Sequence, residues 1–422
     1  MAVNRILLLA GMTCAAVVAA SCGEKLDGGK SCPALCPEQS LPIQEVVLDA
    51  VTFDTTVGTF PIPGNEPGLV LASRGDTLDM RAVARYDTLP ETFTKDGTAR
   101  SIVAVDSARV LVRIDTAAIN FTGTVTLKVF DVDTTAADSN TAAVVRLFRP
   151  DRLLGSVDVV RGDLYLQDTV VVAIPNSFVL SRILSHGHVR VGFQIVGAGD
   201  FTVLSVESGL PPVLKFDPAP GDTSVASYSM GPLSNTPSGD FLVANDLRDY
   251  SLLVKSPPAP TERIVAGGLP AYRSYLRFVI PPRYLDSVVV VRAQLSLVQR
   301  PLHGLAEADL ATVYPVVVSA SAAVTDYRRA AQLVFASSSF GVAPMVYAPR
   351  DSGERSIDLV QLFRDWSAFS PVTNKPQTAI VLRGANEGRA PGRLAFYGID
   401  APAALRPRLR LSFVVRARFG IP

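Results

Sequence analysis

The sequence predicts an all-β chain: two tandem jelly-roll-like antiparallel β-sandwiches behind an export signal and a flexible tether. Three observations predict it. Apolar and polar residues alternate over short runs from about Val47 to the end, the pattern of strands with one buried face. Helical periodicity is nearly absent, and the 31 prolines suit turns and strand edges better than helix interiors. The runs also recur in the same order in the two halves, which points to two copies of one unit.

The N-terminus comes first. Residues 1–5 are short and positive, residues 6–20 are apolar but broken by Gly11 and Thr13, and Ala19-Ala20-Ser21-Cys22 closes with small residues. The apolar stretch is well short of the ~20 residues that cross a bilayer, so 1–21 reads as an export signal. The small residues before Cys22 resemble the bacterial lipobox. That resemblance implies lipid on the Cys22 sulfur and cleavage before it, with palmitate among the acyl groups expected there. Ala19 stands where the pattern prefers Leu, and an ordinary signal cut near Ala20 is the alternative. Gly23 follows the cysteine with no Asp, which points to an outer-membrane lipoprotein facing periplasm or cell surface.

Residues 22–46 read as a tether, since their first twenty or so are rich in Gly, Lys, Ser and Pro with almost no apolar periodicity. Cys32 and Cys36 sit there as the candidate pair for a small local disulfide in an oxidising compartment. Free thiols, and metal or redox chemistry, are the alternatives; two cysteines without a neighbouring histidine fall short of the usual four zinc ligands.

Arg5 is the only charged residue before Cys22, so the rest of the chain carries 39 basic and 39 acidic side chains. That balance argues against nucleic acid as a partner and against an electrostatic membrane patch. Membrane attachment is therefore expected through the lipid.

Residues 47–217 and 218–422 read as the two modules, divided at the polar Pro/Gly stretch 217–222 (DPAPGD). In the first, 108–114 (ARVLVRI), 125–130, 169–174 leading through Pro175 into 176–180, 189–195, 201–206 and 211–216 follow one another. In the second the order is 274–298 (two strands), 356–366, 379–383, 395–398 and 406–411. The best helical candidates are 176–184 and 357–369.

Residues 274–298 and 357–413, with SYLRF, VVVVRAQLSL, DLVQLFRDW, AIVLR and RPRLRL, resemble the DNRLRE-type β-sandwich, which is similar to carbohydrate-binding modules of secreted bacterial proteins. The resemblance covers the last half well; the first module fits in order and pattern alone. It implies a jelly-roll sandwich with a binding or structural role, usually outside the cell. Fold does not fix function.

Few residues suggest chemistry. Trp366, the sole tryptophan, lies on a short amphipathic turn with Leu359, Leu362 and Phe363, so core packing is expected over ligand contact. Tyr272, Tyr275, Tyr284 and Tyr327 are the other aromatic candidates for a glycan platform. His186 and His188 would share a face if 186–188 were a strand, half a metal site, with His303 in the other module; a turn leading into Val189 is the default expectation. Asp131, Asp133 and Asp138 with Asn140 crowd oxygen ligands into one loop, as calcium needs, without EF-hand spacing. Arg74-Gly75-Asp76 and Arg161-Gly162-Asp163 spell a receptor-read tripeptide that turns also produce. No G-x-S-x-G elbow, H-E-x-x-H or Gly-rich phosphate loop is present, and no cofactor is indicated. The expectation is a non-enzymatic envelope lipoprotein that binds polysaccharide or serves structurally. The alternatives are a secreted hydrolase with an unfamiliar site and a subunit of an envelope complex.

Overall fold

The computed structural model describes residues 42–134, 140–235, 246–256, 264–303, 309–318, 324–331, 333, 344–368, 379–385 and 387–416. Cys22, Cys32, Cys36, Asp138 and the side chain of Trp366 lie outside the described residues.

The alternating runs form strands, and the chain is all-β with large antiparallel sheets. The first half contributes β1 (Gln44–Leu48), β2 (Val51–Phe60), β3 (Gly68–Ser73), β4 (Asp79–Tyr86), β5 (Thr92–Lys95), β6 (Thr98–Ser101), β7 (Asp106–Phe121), β8 (Thr124–Asp131), β9 (Leu153–Val160), β10 (Thr169–Ala173), β11 (Val189–Val196), β12 (Gly199–Leu204) and β13 (Val213–Asp217). The second contributes β14 (Tyr228–Met230), β15 (Asp249–Lys255), β16 (Ile264–Gly267), β17 (Ala271–Phe278), β18 (Val288–Arg300), β19 (Ala311–Val317), β20 (Met345–Tyr347), β21 (Gly353–Asp358), β22 (Ala379–Gly384), β23 (Arg393–Phe396) and β24 (Arg408–Val415). The helices are short: α1 (Thr141–Val145), α2 (Asn176–Leu184), α3 (Arg283–Asp286), α4 (Tyr327–Ala331) and α5 (Val360–Ala368).

Two eleven-stranded sheets result, one in the order β14-β13-β7-β12-β3-β4-β11-β8-β9 and the other β1-β24-β18-β23-β16-β17-β22-β19-β20. In the first, β10 also pairs with β7 and β15 with β4; in the second, β21 pairs with β18 and β2 with β17. The places correspond one to one. The strands from β16 to β24 repeat β3, β4 and β7 to β13, α2 and α5 occupy equivalent crossovers, and so do α1 and α4.

Each sheet folds over itself. The sixteen-residue β7 pairs through its first half with β10 and β13 and through its second half with β12. The enclosed faces form one core per sheet. Phe193, Phe201 and Phe216 are fully buried in the N-terminal core, Phe363 and Phe396 in the C-terminal one. Each such ring removed from water contributes about 1.5–3 kcal/mol, so these inward positions decide which face of each strand turns in.

The leading strands change places. β1 pairs antiparallel with β24, and β2 with β17, so the N-terminal arm completes the C-terminal sandwich. Conversely β14 pairs with β13 and β15 with β4 in the N-terminal sandwich. Sheet membership therefore departs from the linear division 47–217 and 218–422: a cut at 217/218 separates both arms from the sheets they complete. Strand pairing also begins at Gln44, inside the segment expected as tether.

Candidate functional site

Residues of both sandwiches line a cleft of about 620 Å³. Its frame is ionic. Arg74, in the β3–β4 turn, is held by its backbone bonds to Leu78 and Thr77, with Gly75 at φ 57° making the tight return. From there its guanidinium reaches Asp200 on β12 of its own sandwich and, at 3.1 Å, Asp309 just before β19 of the other. Asn120 on β7 donates to the same Asp309 at 3.4 Å. A second ion pair crosses between Asp115 on β7 and Arg389 in the β22–β23 connection.

These groups differ in exposure. Asp309 and Asp200 keep 3% and 8% of their side-chain surface, whereas Asp115 and Arg389 keep 21% and 27%. Burial pushes the Asp200 carboxyl up, against the pull of Arg74. Burial alone would pull Arg74 down, but Asp309 and Asp200 outweigh it and hold the guanidinium above its ordinary value. Gly392 lets the chain pass close: a Cβ there would stand 2.5 Å from the Asp309 carbonyl oxygen and 2.6 Å from that of Leu310.

A further set of polar contacts at the junction is buried. Arg273 on β17 binds Glu387 through two bonds of 2.8 and 2.7 Å, and Arg383 adds a third at 3.1 Å. Phe60, the last residue of β2, lies under the Arg273 guanidinium at 3.6 Å. Glu66, in the link from β2 to β3, accepts the backbone N–H groups of Gly64 and Ser251. Desolvation drives Glu66 up to about 8 and its neighbour Asp249 to about 7.

The residues singled out from the sequence are distributed elsewhere. Asp131 accepts from Arg152 at 3.0 Å and Arg182 at 3.1 Å, and Asp133 from Arg182 at 2.7 Å. Two guanidinium groups thus supply the positive charge that calcium would have brought. His186 turns to Glu91 and His188 to Asp133; His186 has φ 52° in a turn after α2, so the two rings do not share a strand face. Among the described residues no group of three or more His, Cys, Asp or Glu is placed to hold a metal ion.

Of the tyrosines, Tyr275 and Tyr284 are buried, Tyr327 meets Phe60 at a 55° tilt, and Tyr272 packs against Val265, Leu302 and Ala395. The four are divided among three separate apolar clusters, Tyr272 and Tyr275 on opposite faces of β17, Tyr284 on α3 and Tyr327 on α4. Tyr165, not among those candidates, is 61% exposed and stands beside Arg161, which lines the cleft. The signal was the turn Arg161-Gly162-Asp163, after which Leu164 enters the core while Tyr165 and Leu166 stay exposed. Compared with known proteins, the chain matches no family model and no curated protein.

Proposed function

We propose that the chain is a membrane-anchored envelope lipoprotein with a non-enzymatic role, and that its paired sandwiches bind a polysaccharide in the cleft between them. The observation that carries this reading is the cleft itself, lined by guanidinium, carboxylate and amide groups from both sandwiches. Sugar hydroxyls donate and accept at once, so a wall that alternates fixed donors and acceptors suits them. The lining ion pairs already hold those side chains, which lowers the ordering cost of binding. The lipobox-like end at Cys22 supplies the anchor, and the resemblance of the second half to carbohydrate-binding modules agrees with a binding role.

The secreted chain carrying Cys22→Ser should be released from membranes and retained on at least one polysaccharide of a panel by affinity electrophoresis. Absence of retention on every polysaccharide defeats the binding reading, shortened products would make the chain a hydrolase, and a variant that still pellets with membranes defeats the lipid anchor.

A further inference from the structure

Neither sandwich keeps the strands that lead into it. β1 and β2 precede the N-terminal sandwich in the chain but pair with β24 and β17 of the C-terminal one. β14 and β15 precede the C-terminal sandwich but pair with β13 and β4 of the N-terminal one. The receiving edges are equivalent, β17 standing where β4 stands and β24 where β13 stands. The acceptor is thus a property of the repeated unit, whichever unit supplies the arm.

The two crossings differ in reach. β14 follows closely on the strand that receives it, with Tyr228 opposite Phe216. The N-terminal arm must find a strand formed much later, since Thr56 and Ser274 meet across 218 positions of sequence. Loop closure costs roughly (3/2)RT ln n, so the N-terminal arm has the larger cost to meet within one chain. It is also made first, while its acceptor ends at Val415. Until then Ala50, Val51, Val57 and Phe60, all buried in the finished fold, have nothing to pack on, the circumstance in which repeated units exchange elements.

A second copy of the chain offers the same acceptor. The β1–β24 and β2–β17 ladders, the Ile399 N–H donating to Asp54 at 2.7 Å and the Thr56–Ser274 hydrogen bond at 2.7 Å can all form on another chain's C-terminal sandwich. The closed and exchanged forms then differ chiefly in chain entropy and concentration. Residues 61–67, which join β2 to β3, include Pro61, Pro63 and Pro67. At ~3.1 Å per residue a Pro-rich link of that length spans about 20 Å, enough to reach a sandwich alongside.

We propose that two copies of the chain exchange their N-terminal arms, β1 and β2 of each completing the C-terminal sandwich of the other. A reciprocal pair leaves no acceptor edge unfilled, whereas an open head-to-tail chain leaves one at its end. The exchange does not depend on what the cleft binds.

The test uses the secreted chain with Cys22, Cys32 and Cys36 replaced by Ser, carrying either Thr56→Cys or Ser274→Cys. These side chains lie opposite each other on β2 and β17, within reach of a disulfide. The two single variants are unfolded together, refolded at a series of concentrations and oxidised. A disulfide-linked heterodimer should form, and a ten-fold rise in concentration should raise its fraction roughly ten-fold while it is the minor species. Glu45→Cys with Ser412→Cys, opposite each other on β1 and β24, should give the same result. Double variants carrying both cysteines on one chain should close the bond internally at low concentration, which shows that the fold tolerates them. Mixtures of single variants that stay monomeric at every concentration overturn the proposal. So do dimers in which Thr56→Cys couples to itself as readily as to Ser274→Cys.

Discussion

The carboxylate of Glu66 accepts the backbone N–H of Ser251 at 2.9 Å. Glu66 lies on the link that carries the N-terminal arm back from the C-terminal sandwich; Ser251 lies on β15, the arm that crosses the other way. One buried side chain therefore ties the two crossing segments together, and it does so in a site that disfavours its charge.

That site sets a pH dependence. Glu66 is raised by burial from 4.5 to about 8, and Asp249 from 3.8 to about 7. Between the ordinary and the raised values the folded chain holds protons that the unfolded chain has shed. The two groups therefore stabilise the fold most below pH 4, and their contribution falls as pH rises towards about 8, by at most ~1.4 kcal/mol per unit and group. Thermal melts should show Tm lower at pH 8.5 than at pH 6. Glu66→Gln with Asp249→Asn, neutral throughout, should flatten that trend. A decline in the double variant as steep as in the wild type would contradict this account.

The crossing also predicts which half an N-terminal truncation harms. Removing residues up to 60 strips β1 from β24 and β2 from β17, and with them the bonds from Asp54 to Ile399 and from Thr56 to Ser274. Two strand edges of the C-terminal sandwich lose their partners, while β14 and β15 still complete the N-terminal one. Hydrogen exchange should show protection lost in β17 and β24 and kept in β7 and β12. A synthetic peptide of residues 42–60 should restore it. Loss concentrated in the N-terminal sandwich would refute the exchange.

Period-two alternation made the strands and their repeated order legible, because it records which residues turn inward. It carries no information about which chain segment lies alongside. The ten residues of β2 alternate equally well against either sandwich, and β14 has only three residues to read. The cleft was hidden for a related reason. Arg74 and Asp309 stand 235 residues apart, Asp115 and Arg389 274 apart, each in a stretch whose charges look like ordinary solvated surface. His186 and His188 would share a face only on a strand, and the left-handed backbone at His186 makes the segment the turn into Val189 that was the default expectation.

Exposure separates the ion pairs in size. Glu387 keeps 5% of its side-chain surface beneath Arg273, so Glu387→Ala leaves a buried guanidinium without its main partner and should cost about 3–5 kcal/mol by chemical denaturation. Asp115 and Arg389 retain about a quarter of theirs, and a double-mutant cycle with alanine should return a coupling of about 1 kcal/mol or less. The reverse order of these two magnitudes would mean that the junction is wetter than its geometry indicates.

Arg74 joins the two sandwiches beside the cleft. Its guanidinium bridges Asp200 and Asp309, two carboxylates with little contact with water, and Arg74→Met keeps the volume while removing the charge. The two carboxylates then repel without the guanidinium charge between them. The variant should lose several kcal/mol, about as much as breaking any buried pair, and regain part of the loss when Asp309→Asn is added. Because Asp309 belongs to the other sandwich, that partial rescue would measure the coupling between the two halves directly. A strictly additive double variant would show that Arg74 packs within its own sandwich and does not hold the cleft closed on Asp309.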